Sequence, residues 1–124
     1  MPSSLVLKVE ARRLGFTTCG VAPAVPAPHL AAYREWLAKG YHGGMDYLAE
    51  HLPLKEHPDR LLPGVRSVVA VTLNYRQPNL HVPGNPRVAT YALGRDYHKV
   101  LRGKLKRLAA WVESVEPGAV CRPC

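Results

Sequence analysis

The stretch RSVVAVTLNY (66–75) decides the fold class. Val68, Val69, Ala70 and Val71 follow one another without a polar break, and Thr72 extends the β-branched run. Such a segment is a strand, and its nearly continuous apolar centre predicts burial on both faces, as in a sheet covered by helices. Helical patterns stand on either side of it. Before it, Leu30, Tyr33 and Leu37 recur at helical spacing after Pro28 and stop at Gly40. After it, Leu101, Leu105, Leu108, Val112 and Val115 form one apolar stripe of a helix that starts near Tyr97 and ends at Pro117 and Gly118.

The rest of the chain fits around these elements. Ser3 or Ser4 caps a first helix with Leu5, Val9 and Leu14 on one face and Gly15 as its stop. FTTCGVA (16–22) is a second strand, running into the proline-rich PAVPAP. In 41–65, Gly43 and Gly44 break the preceding helix, a short helix covers 45–51, and Pro53, Pro58 and Pro63 forbid anything long. This polar, irregular segment is either a site-lining loop or a solvated connector. The segment 76–87 is a loop, and VATYAL (88–93) is extended. Helices alternating with strands give an α/β class. Only two or three strands are visible, so an incomplete small sheet with flanking helices is expected, in a single domain over 1–124. The chain stops at GAVCRPC (118–124), where a further strand should begin, which predicts a truncated domain.

Composition narrows the function classes. Apolar residues make up 47% and charged residues 21%, a soluble globular balance. Lys and Arg number 17 against 9 Asp and Glu, a net charge of +8 that favours an anionic partner such as nucleic acid or a phosphate-bearing cofactor. The first residues form no signal peptide, no run is long enough to span a membrane, and the odd cysteine count indicates reduced thiols, so a cytoplasmic protein is expected. Cys19 falls in a predicted strand and reads as buried and inert, while Cys121 and Cys124 form one CxxC without a second pair. No HExxH, Walker loop, GxGxxG or nucleophile elbow occurs.

The residues that stand out are GRDYH (94–98). Gly94 frees the backbone to turn, and Asp96 is placed to cap the following helix. Tyr97 and His98 then occupy a first helical turn, where free N–H groups and the helix dipole favour anions. Beyond them Lys99, Arg102, Lys104, Lys106 and Arg107 load the first half of the helix with positive charge, while Glu113 and Glu116 lie near its end. Dipole logic prefers the reverse order, so the basic stripe is a candidate polyanion surface as well as a solvated face.

Four blocks, LGFTTCGVAPA, WLAKGYHGGMDYL, LLPGVRSVVAVTLNY and YALGRDYHKVLRGKLKRLAAWV, together resemble the N-terminal region of epoxyqueuosine reductases, across about residues 13–116. The resemblance implies an N-terminal corrinoid-binding domain of an enzyme that reduces epoxyqueuosine to queuosine in tRNA, using cobalamin and 4Fe-4S clusters. It further implies cofactor-binding roles for Lys55, Ala89, Asp96, Tyr97 and His98, with Ala89 acting through its backbone. Lys104, Lys106 and Arg107 are the residues expected to meet tRNA, and the partners implied are tRNA and cobalamin, with no membrane and a monomeric state.

The chain departs from the family pattern at several positions. Lys55 stands where relatives often carry Arg, which keeps the charge and loses the bidentate fork. Thr90 likewise stands where many relatives carry Arg. The resemblance puts the proton-donor Asp on a strand beyond Cys124 and the cluster cysteines farther still, so no catalytic residue is assigned and the chain alone is expected to be inactive. Two other readings remain: a free-standing basic RNA- or cofactor-binding module of the same fold, and a related small-molecule corrinoid reductase such as a dehalogenase, a class that usually carries export signals.

Overall fold

The Ser3 hydroxyl accepts the Val6 N–H at 3.4 Å and caps the first helix. The computed structural model describes residues 3–76 and 83–124, so half of the loop expected over 76–87 lies outside the described residues. In chain order the elements are α1 (Ser4–Arg13), β1 (Thr18–Pro23), α2 (Leu30–Ala38), α3 (Tyr47–Glu50), α4 (Leu52–Glu56), a 3-10 turn (Pro58–Arg60), β2 (Ser67–Thr72), a second 3-10 turn (Thr90–Ala92) and α5 (Tyr97–Val115). The class is α/β, with β1 and β2 paired as a two-stranded sheet. The Thr17 N–H donates to the Thr72 carbonyl at 2.8 Å and the Ala24 N–H to the Arg66 carbonyl at 3.0 Å, an antiparallel register. Among the described residues no helix is long and apolar enough to cross a membrane.

The chain falls into two compact units, Met1–Val21 with Val69–Cys124, and Ala22–Val68. In the first, Leu7 and Ala11 of α1 meet Leu108 and Val112 of α5, with Phe16 beside them. Burying each of the larger side chains is worth roughly 1.5–3 kcal/mol. The α1 face expected inward, Leu5 and Val9, is instead 70% and 61% exposed. Both stripes of α1 are apolar enough to serve; the turn at Gly15 (φ 91°) brings Phe16 back under the Leu7 and Ala11 side and so selects it. Glu10 is buried with that face because Arg13 holds its carboxylate at 2.6 and 2.8 Å, which keeps the Glu10 carboxyl below its ordinary range.

Two further expectations are corrected. Val68 and Val69 of β2 are 45% and 37% exposed, so the strand is not buried on both faces: a sheet of two strands cannot supply the cover that its apolar sequence would accept. VATYAL is not extended throughout, since the Ala92 N–H turns back to the Ala89 carbonyl (2.9 Å) and Leu93 to Thr90 (3.2 Å). In the Ala22–Val68 unit, the Tyr33 hydroxyl donates to the Leu48 carbonyl at 2.7 Å and the Arg34 guanidinium pairs with Glu56, tying α2 to α3 and α4. The short helices there match the proline spacing, with Pro53 tolerated because it stands in the first turn of α4.

Candidate functional site

The turn into α5 is built as the sequence predicts. Gly94 has φ 81°, a conformation that favours glycine. Two residues on, Asp96 Oδ1 accepts the His98 backbone N–H at 3.0 Å and also lies 3.1 Å from His98 Nδ1. These bonds, the backbone one foremost, hold the Asp96 carboxyl below its ordinary range. One carboxylate thus caps the helix and fixes the imidazole beside it.

The aromatic neighbours extend the site beyond the residues singled out in sequence. His98 stacks on Tyr97 with ring centroids 4.0 Å apart. Tyr97 meets Tyr91 edge to face at 6.0 Å, and Tyr91 meets Tyr75 in the same manner at 6.5 Å. The result is a four-ring ladder joining the end of the β2 segment, the Thr90–Ala92 turn and the start of α5. Leu73, Tyr75, Tyr91, Tyr97 and Leu101 line a concavity of about 440 Å³ with mostly apolar walls. Its volume lies within the usual range for ligand pockets, and its lining of aromatic and aliphatic side chains suits the flat face of a large ring. Tyr75, Tyr91, Leu73 and Leu101 were missed in sequence. Leu101 read as plain core and Leu73 as part of the apolar strand run, and the signal for Tyr75 and Tyr91 was the recurrence of tyrosine at both ends of the loop.

The other predicted residues divide between the units. Ala89 is exposed at the start of the Thr90–Ala92 turn, and its carbonyl is engaged by Ala92. Asp96, Tyr97 and His98 share the α5 turn. Lys55 belongs to the Ala22–Val68 unit, where its ammonium lies 5.5 Å from the Tyr33 ring centroid, and Tyr33 in turn stacks on Trp36. Of the three residues expected to face tRNA, Lys106 and Arg107 are exposed. Lys104 is half-buried, and its Nζ donates to the Leu14 carbonyl at 2.6 Å, so its charge closes the end of α1.

Cys19 is half-buried against the core rather than fully enclosed, and burial pushes its thiol up. Burial, with Glu113 second, does the same at half-buried Cys121, whose N–H donates to Glu113 Oε1 at 2.9 Å. Among the described residues no three His, Cys, Asp or Glu side chains come together to hold a metal ion, so the residues present do not fit an iron–sulfur cluster.

Comparison with known proteins bears on the same segment. The family model "Epoxyqueuosine reductase QueG, DUF1730" matches residues 55–124, which include the whole aromatic ladder and α5. The chain is 45% identical over 124 residues to an epoxyqueuosine reductase of Gloeobacter violaceus, covering 98% of this chain and 38% of the relative. It is 39% identical over 113 residues to one of Aliivibrio fischeri, covering 86% and 30%. The chain therefore spans well under half the length of these relatives. Its fold is similar to that in a structure of epoxyqueuosine reductase from Streptococcus thermophilus, with a TM-score of 0.76 at 22% identity over 95% of this chain and 33% of that one.

Proposed function

The chain belongs to the epoxyqueuosine reductase QueG, DUF1730 family, and from that premise we propose that it supplies the cofactor- and substrate-facing wall of an enzyme that reduces epoxyqueuosine to queuosine in tRNA, in the cytoplasm. The observation that carries this reading is the Tyr75, Tyr91, Tyr97 and His98 ladder over an apolar concavity within the matched residues. Cobalamin fits that lining: Tyr75, Tyr91 and Tyr97 would hold a flat ring, while Leu73 and Leu101 keep water from it. When bound, cobalamin supplies the low-potential electrons that no side chain can.

The remaining roles belong to the chain's own residues. Asp96 fixes the turn and the His98 ring through Nδ1, leaving Nε2 to meet a polar ligand group. Tyr97 Oη offers a second donor. These groups bind and orient, and none of them is assigned as the acid that protonates the opening epoxide.

The test is a chimera in which this chain replaces the matched segment of the Gloeobacter violaceus relative. It should retain cobalamin, seen in its visible absorbance, and form queuosine in tRNA. Joint Tyr91→Ala and Tyr97→Ala substitution should weaken cobalamin binding about tenfold or more, with the circular dichroism unchanged. Full cofactor occupancy and full activity in that variant would overturn the assignment.

A further inference from the structure

The net positive charge lies in one unit. Met1–Val21 with Val69–Cys124 holds 12 Lys and Arg against 4 Asp and Glu, which is the chain's whole net charge of +8. Ala22–Val68 holds five of each sign and is neutral. Within the charged unit, α5 turns Leu108 and Val112 to the core and leaves Lys99, Arg102, Lys106 and Arg107 exposed. At about 100° per residue, Lys99, Arg102 and Lys106 share an arc of roughly 60° opposite that core face. Lys99, Gly103 and Arg107 lie on one i, i+4 ridge, with Lys106 three residues from Gly103. None of the four cations closes an ion pair among the described residues.

Gly103 is the unexplained residue at the centre of this ring. It stands well inside a 19-residue helix, exposed, without a positive φ. A Cβ added there would meet nothing within 4 Å, so no internal contact requires glycine. Glycine in a helix interior is less stable than alanine, and clustered cations in the N-terminal half of a helix repel one another and oppose its dipole. Three local costs thus fall on one spot. A missing side chain with open space above it permits close approach from outside, and the surrounding charges define what approaches.

We propose that the Lys99, Gly103, Arg107 ridge, with Arg102 and Lys106, is a docking surface for the phosphate backbone of a folded RNA, with one sugar-phosphate unit seated over the Gly103 backbone. This rests on the reading above that the substrate is tRNA, and it assigns the contact to a different set of residues from Lys104, Lys106 and Arg107.

The experiment measures two quantities on the full chain: thermal stability, and affinity for unmodified tRNA by fluorescence anisotropy across a salt series. Gly103→Ala should raise the melting temperature by about 4 °C. Gly103→Gln should not lower it, yet should weaken tRNA binding at least about fivefold, because its side chain fills the seat. Lys99→Gln and Lys106→Gln should each flatten the plot of log affinity against log salt by about 0.7–0.9. Ala31→Gln, an exposed change on α2, should leave both quantities unchanged. Unaltered tRNA affinity in Gly103→Gln would overturn the surface, whatever the chimera does. Equal loss of heparin and tRNA binding in that variant would overturn the RNA assignment and leave a general polyanion patch. A chimera that loses cobalamin while Gly103→Gln still weakens tRNA binding would sink the cofactor reading alone.

Discussion

Gly15 and Lys104 should behave as one energetic unit although 90 positions separate the Lys104 ammonium from its Leu14 partner. Gly15 has φ 91°, and a Cβ built on it would lie 2.6 Å from Lys104 Nζ. That ammonium donates to the Leu14 carbonyl at the end of α1. Gly15→Ala therefore carries two costs. Left-handed backbone costs an ordinary residue about 1–2 kcal/mol. Displacing the ammonium breaks a charge-assisted hydrogen bond, about 1.5 kcal/mol at a half-buried site. The sum is about 2.5–3.5 kcal/mol. Lys104→Met keeps most of the apolar stem and removes the bond, for about 1.5 kcal/mol. In the double variant the bond is already absent, so Gly15→Ala adds only the backbone cost. The total should then stay near 2.5–3.5 kcal/mol, with a coupling of about 1.5 kcal/mol. Urea unfolding of the four proteins, followed by far-ultraviolet circular dichroism, measures each difference. Strict additivity, within about 0.5 kcal/mol, would refute the linkage and with it the capping role given to Lys104.

Two other outcomes can be checked on the same chain. Hydrogen bonds from His98 depress the Asp96 carboxyl in the folded state, so its contribution is fully present above the unfolded value near 3.8 and is lost as pH falls through the lower folded value. The stability gap between the parent and Asp96→Ala should therefore narrow between about pH 5 and pH 2.5, and a gap constant over that range would contradict the capping geometry. Alkylation by iodoacetamide at pH 7.5 should reach exposed Cys124 first, because burial raises the thiols of half-buried Cys19 and Cys121; mass spectrometry showing Cys19 labelled fastest would contradict that order.

What was legible in sequence were the features set by local chemistry. The Asp96 cap, the positive φ of Gly15, Gly40 and Gly94, the start of α5 and the centre of β2 each follow from a residue and its immediate neighbours. What escaped depends on partners distant in sequence. The inward face of α1 is chosen by Phe16 and α5, not by its own periodicity. Burial of β2 needs cover that a run of valines cannot report. Lys104 looked like one cation among five until its Leu14 acceptor was seen. The tyrosine ladder is the same kind of case: Tyr75 and Tyr91 are 16 positions apart, on either side of a loop, and only the fold brings their rings to 6.5 Å.

The helix α5 separates two kinds of residue that a composition count merges. Leu108, Val112, Lys104 and Asp96 obey local and tertiary rules together: each has a buried neighbour or a hydrogen-bond partner within the chain. Gly103 and the cations around it disfavour the helix, and no contact inside the chain requires glycine at 103. Replacing the first kind should destabilise the protein, whereas replacing the second should stabilise it or leave it unchanged. A residue whose replacement makes the fold more stable and its contact with RNA weaker has its reason outside the chain. Gly103 is the position in α5 where the structure makes those two effects point in opposite directions.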